Sequence, residues 1–222
     1  MSERKVIFEV GEFYHLYNRG NDKRKIFLSD NDYQRFICLL YATNGSEMIH
    51  LSNLRQWSKQ AWEQRRGKTL IDIGAYCLMP NHFHLLVKEK QAGGITTFTR
   101  KLLTSYSSYF NLKHGRTGKL FEGSFKATHV NNDPYLNYLY AYIHLNPVKI
   151  SNPDGWPEKV IQNIALAKAF LNNYHYSSYQ DYLGYQRQEN VILNSKSFPA
   201  YFDSQIDFKN FLDDWMKYNQ ME

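Results

Sequence analysis

The stretch Leu70-Ile71-Asp72-Ile73-Gly74-Ala75-Tyr76-Cys77-Leu78-Met79-Pro80-Asn81-His82-Phe83-His84-Leu85-Leu86-Val87-Lys88-Glu89 decides the architecture. Two runs rich in strand formers, 70–78 and 82–89, flank Pro80-Asn81, a tight-turn dipeptide, so the segment reads as a β-hairpin. Successive side chains of a strand point to opposite faces. In the second run, His82, His84, Leu86 and Lys88 therefore share one face, and Phe83, Leu85 and Val87 share the other. Two imidazoles on one face can converge on a metal ion; the rival reading is a pair of hydrogen-bonded sheet histidines.

Upstream, residues 13–18 are strand formers that stop at the turn sequence Arg19-Gly20-Asn21-Asp22, which predicts a first strand. After Ser29 or Asp30 as N-cap, Tyr33, Phe36, Ile37, Leu40 and Tyr41 recur at the spacing of one helical stripe. Residues 43–68 break that pattern with a polar, basic stretch containing Trp57, Trp62, Arg65 and Arg66, read as a helical insertion ending at Gly67 as C-cap. Downstream of the hairpin, Ile95, Phe98, Leu102, Tyr106, Tyr109 and Phe110 predict a long second helix ended by His114-Gly115, and 121–130 reads as a fourth strand. The order β-α-β-β-α-β predicts an α+β, ferredoxin-like split βαβ fold: a four-stranded antiparallel sheet with helices on one face.

Asp133 as N-cap and Pro134 at the first helical position open a third helix that Pro147 stops. Leu136, Leu139, Tyr140 and Ile143 form its apolar stripe, while Tyr135, Tyr138, Tyr142 and Asn146 form a second. Asn146 precedes a proline, a position pushed away from helical geometry and suited to capping. Beyond it, 158–172 reads as helical and 207–218 as a terminal helix, an extension over 151–222 packed on a main domain of residues 1–150.

Composition narrows the function classes. The chain has 222 residues, enough for one main core without disulfide staples. Its 27 Lys and Arg exceed its 21 Asp and Glu, which suits a polyanionic partner. Among 18 tyrosines and 14 phenylalanines, exposed rings beside cations can stack on unpaired bases, although packing accounts for most. Cys38 and Cys77 sit in apolar periodic segments and no apolar leader or bilayer-length run is present, so a cytoplasmic protein with buried thiols and no membrane partner is expected.

The stretches Tyr14-His15-Leu16-Tyr17-Asn18-Arg19-Gly20-Asn21, Tyr76 to Leu86, His114-Gly115-Arg116-Thr117-Gly118 and Tyr142-Ile143-His144-Leu145-Asn146-Pro147-Val148 resemble the single-tyrosine (HUH, Y1) transposases of the IS200-like family. They are most similar to its branch associated with repetitive extragenic palindromes, over residues 8–150, and Tyr176-Ser177-Ser178-Tyr179 with Leu183-Gly184 is similar to that branch's next block. The resemblance implies a ferredoxin-like transposase that cuts and rejoins single-stranded DNA beside a hairpin through a covalent 5′-phosphotyrosine. It implies Tyr142 as nucleophile, His82 and His84 as metal ligands with Asn146 as a third, Mg²⁺ or Mn²⁺ as cofactor, and a homodimer.

The chemistry agrees with these assignments. A phenol titrates near about 10, so a cation that neutralises developing charge would help it attack. Nitrogen ligands tilt the preference toward Mn²⁺. Asn18, Arg19, Arg116, Lys119 and Lys126 are the candidate DNA contacts, and His144, on another helix face from Tyr142, reads as structural. Ser124 stands where relatives often carry Arg. Two other functions compete: a domesticated, non-catalytic binder of hairpin nucleic acid, and a metal-dependent phosphoesterase acting on small substrates.

Overall fold

Four strands, β1 (Phe13–Arg19), β2 (Ile71–Met79), β3 (His82–Glu89) and β4 (Lys126–Val130), form one antiparallel sheet in the order β2-β3-β1-β4. The computed structural model describes residues 6–152, 156, 161 and 163–218. Between the strands run α1 (Asp30–Ala42) and α2 (Gly94–Lys113), which completes the predicted split βαβ order. Ser29 caps α1 in extended conformation, its side chain and that of Asp32 forming a reciprocal capping box. At the end of α2, His114 and a left-handed Gly115 at φ 59° stop the helix as expected.

α1 and α2 cover one face of the sheet. Phe36, Ile37, Leu40, Phe98, Leu102 and Tyr106 pack there with Leu16, Phe83, Leu85 and Val87, all fully buried. Burying each such side chain stabilises the fold by about 1.5–3 kcal/mol. β2 reaches this core with a change of phase. Ile73 pairs with Val87 but Ala75 with Leu86, so Gly74 is an extra residue, a bulge that turns Ala75, Cys77 and Met79 to the opposite face. A Cβ at Gly74 would lie 2.8 Å from the Phe198 ring, so the bulge and the ring require glycine.

Against that opposite face lies α3 (Asp133–Leu145), through Leu136, Leu139, Tyr140 and Ile143. Its N-cap is Asn132 rather than Asp133, because the Asn132 Oδ1 accepts the Tyr135 amide at 2.8 Å. Asn146 keeps helical geometry at φ −52° and ψ −38°, contrary to the bias of a residue before proline. The turn Val148–Ser151 continues directly from Pro147. The outer side of α3, through Ala141 and Leu145, packs with α4 (Ile164–Asn172) and α5 (Gln205–Tyr218) in a second apolar cluster. The predicted start of the 158–172 helix falls partly outside the described residues.

The insertion and the fourth strand take shorter forms. Residues 43–68 hold three short helical turns, Leu51–Asn53, Trp57–Gln60 and Ala61–Glu63, and no long helix. Only Leu51 and Ala61 of those turns are buried, too few for a continuous stripe. Gly67, at φ 67°, lies in a loop where Ser46 and Glu47 donate to the Lys68 and Arg66 carbonyls, so it caps no helix. The fourth strand is only Lys126–Val130: Phe121 makes a single bridge to Gly20, and Gly123 at φ 68° interrupts the extended run. Both cysteines are free and buried. Among the described residues no helix is long and apolar enough to cross a membrane.

Candidate active site

The antiparallel register of β1 and β3 sets Tyr17 opposite His84 and Arg19 opposite His82. Alternation then places His15, Tyr17 and Arg19 on the same face as the two histidines. The rings of His82 and His84 meet edge to face at 4.9 Å. His82 Nδ1 lies 2.7 Å from Asn81 Oδ1, and His84 Nδ1 lies 2.9 Å from His15 Nε2. In both rings a hydrogen bond therefore occupies Nδ1. His84 Nε2 is buried and has no hydrogen-bond partner among the described residues. Burial pushes the His15 and His82 imidazoles down to about 4, and burial beside His15 and His82 also holds His84 well below its usual range. All three are neutral near pH 7, the form in which a ring nitrogen can ligate a metal.

α3 brings the remaining groups. The Tyr142 ring stands edge-on to His84 with centroids 5.2 Å apart and an interplanar angle of 84°, and meets His15 at 5.9 Å. Asn146, one helical turn further, is 1% exposed, and its Oδ1 makes no hydrogen bond among the described residues. Its side chain approaches His82 and favours the protonated ring, although the contact falls short of hydrogen-bond geometry. His144 turns away from the site: its Nδ1 bonds the Tyr140 carbonyl and its Nε2 the Ser178 hydroxyl, each at 2.8 Å. That is the structural use expected of it. Tyr140 is buried in the apolar cluster under α3 and Tyr138 packs against Trp215, so of these three tyrosines Tyr142 alone lines the cleft.

The cleft is an open cavity of about 310 Å³ lined by Tyr17, Asn18, Arg19, Asn81, His82, His84, Glu122, Lys126 and Tyr142. Arg19 is held across its mouth by Glu122 at 2.9 Å, and Lys126 projects into solvent. Asn18 accepts the Arg19 amide, while its buried Nδ2 has no partner among the described residues. Of the five candidate DNA contacts, Asn18, Arg19 and Lys126 thus sit at the cleft. Lys119 lines a separate groove with Ser107, Asn111 and Ser124, and Arg116 is drawn to Asn111 and the Phe110 ring. Among the described residues no group of three or more His, Cys, Asp or Glu side chains is arranged to hold a metal. The available donors are two imidazoles and an amide. His15 and Tyr17 escaped the sequence reading; alternation in the first strand grouped them with Arg19, but only strand pairing joins them to His84.

The family model for IS200-like transposases matches residues 14–146. The chain belongs to the IS200-like transposase family. The matched span of this transposase runs from β1 to the end of α3 and includes His82, His84, Tyr142 and Asn146. Among solved structures, it is similar in fold to one described as a REP-associated tyrosine transposase bound to a REP hairpin. The TM-score is 0.50 at 14% identity, over 85% of this chain and 90% of that one. No curated protein matches the chain.

Proposed function

We propose that this transposase nicks and rejoins single-stranded DNA beside a hairpin, with Tyr142 as the nucleophile. The observation that carries the reading is the Tyr142 ring set edge-on to His84 over a cleft that also holds Arg19 and Lys126. In the reaction the Tyr142 phenol oxygen bonds to the scissile phosphorus as the bond to the 3′ oxygen breaks. The phenol gives up its proton, the leaving oxygen takes one up as a 3′-hydroxyl, and the 5′ end stays on Tyr142 as a phosphotyrosine. Reversal with another 3′-hydroxyl rejoins the strand without an external energy source.

The donor set suits a divalent cation, because two buried polar atoms, His84 Nε2 and Asn146 Oδ1, have no hydrogen-bond partner among the described residues. His82, His84 and Asn146 would hold it. When bound, Mg²⁺ or Mn²⁺ supplies a Lewis acid for the scissile phosphate, with the imidazoles favouring Mn²⁺. Arg19, positioned by Glu122, and Lys126 would contact the flanking phosphates. The test is incubation of the purified protein with Mn²⁺ and a single-stranded oligonucleotide carrying a hairpin, resolved on a denaturing gel. A covalent protein–DNA band that disappears in Tyr142→Phe is expected. An adduct that persists in that variant overturns the assignment, and salt-dependent hairpin binding without any adduct points instead to a binding protein.

A further inference from the structure

The third imidazole of the site, His15, has no part in the reaction described above, yet its ring both hydrogen-bonds and stacks on that of His84. Its Nε2 lies 2.9 Å from His84 Nδ1, and the two rings stack with centroids 5.0 Å apart and an interplanar angle of 27°. His15 is 7% and His84 5% exposed. A hydrogen bond between two imidazole nitrogens needs one N–H and one lone pair, so it admits two arrangements. If His15 donates, the hydrogen of His84 sits on Nε2, a buried atom that faces no acceptor among the described residues. If His84 donates from Nδ1, its Nε2 carries a lone pair. An orphaned buried N–H is the rarer and costlier defect.

We propose that His15 is a positioning residue that accepts the Nδ1–H of His84, fixing that tautomer and aiming the His84 Nε2 lone pair into the cleft. The same stack bears on Tyr142, whose ring meets both imidazoles edge-on, at 5.2 Å from His84 and 5.9 Å from His15. His15 comes from β1 and His84 from β3, so the inter-strand register sets the orientation of the ring, and no flexible side chain is involved. The consequence for a cation rests on the reading of His82 and His84 as ligands. A partner that orients a ligating histidine through its other nitrogen commonly changes metal affinity by about 10- to 100-fold when removed.

The tautomer can be read without metal or DNA. Two-bond ¹H–¹⁵N correlations of the imidazoles in the full chain should show His84 protonated on Nδ1. In His15→Leu the ring should move to the Nε2–H form, and His15→Gln, which offers an amide oxygen, should restore the Nδ1–H form. Mn²⁺ titration of the same proteins should show affinity falling about 10- to 100-fold in His15→Leu and recovering in His15→Gln. Thermal unfolding identifies a variant that has lost its fold. An Nε2–H tautomer in the parent overturns the proposal, as does failure of His15→Gln to restore what His15→Leu loses. A parent with the Nδ1–H tautomer that binds no Mn²⁺ leaves the role of His15 standing and overturns the metal-dependent reading of the site.

Discussion

On the face that carries α1 and α2, Phe83, Leu85 and Val87 are sealed among Phe36, Phe98 and Tyr106. Among the residues that alternate with them along β3, His82 and His84 turn to the other face, where Tyr142, Asn146 and the cleft lie. A single strand thus supplies apolar burial on one side and partner-seeking polar atoms on the other. The contrast teaches that stability and chemistry separate by strand parity: dry packing behind the histidines holds them where α3 can bring Tyr142 against them.

The sharpest way to break the comparison is at the proposed nucleophile. Tyr142→Phe keeps the ring and its contacts but removes the hydroxyl, so adduct formation should fall by at least about 1000-fold with the thermal midpoint little changed. Gel quantification and calorimetry check both halves. The opposite outcome belongs to the apolar face: Phe83→Ala should cost about 3–5 kcal/mol in urea unfolding, because a fully buried aromatic leaves a cavity. His84→Ala, one residue on, should cost much less stability while abolishing Mn²⁺ binding.

Acid should act through the rings. Burial pushes His15, His82 and His144 down to about 4 in the folded chain. The unfolded chain takes up these protons near pH 6.5, about the free imidazole value. Between those limits the unfolded state carries more protons, so stability of the metal-free protein rises with pH and is lost as pH falls from about 6.5 towards about 4. Each ring contributes a slope of about 1 kcal/mol per pH unit there. Urea midpoints at pH 7 and pH 5 measure it, and His144→Asn should remove one ring's share. The smallest effect is expected at the rim: Lys126→Ala should weaken hairpin binding a few-fold and lower the salt slope by about one. An unchanged slope would remove Lys126 from the DNA surface.

Much of this was legible along the chain. The alternation in 82–89, the stripe from Tyr33 to Tyr41 and the stop at His114-Gly115 are local patterns, and the observed β3, α1 and α2 follow them. The i, i+4 spacing of Tyr142 and Asn146 likewise put both on one helical face. Less was legible where the backbone choice is made by distant groups. Gly74 forms a bulge against Phe198, 124 positions later in the chain, and Asn146 stays helical before Pro147 because the following turn continues it. Arg116 and Lys119 looked equivalent to Arg19 and Lys126 as basic residues near turns, yet they fall beside a different groove.

By itself, then, the sequence determined the order of the elements and which residues share a face, because period-2 and period-3.6 patterns are properties of neighbouring residues. Only the tertiary structure decided that His15 joins the site, that the Tyr142 ring stands edge-on to His84, and which cations surround the cleft. Those outcomes depend on strand order and register, where a slip of one residue would send His15 and His84 to opposite faces. Register is set by the summed burial of the whole sheet and by α3 lying across it, information that no short stretch of chain contains.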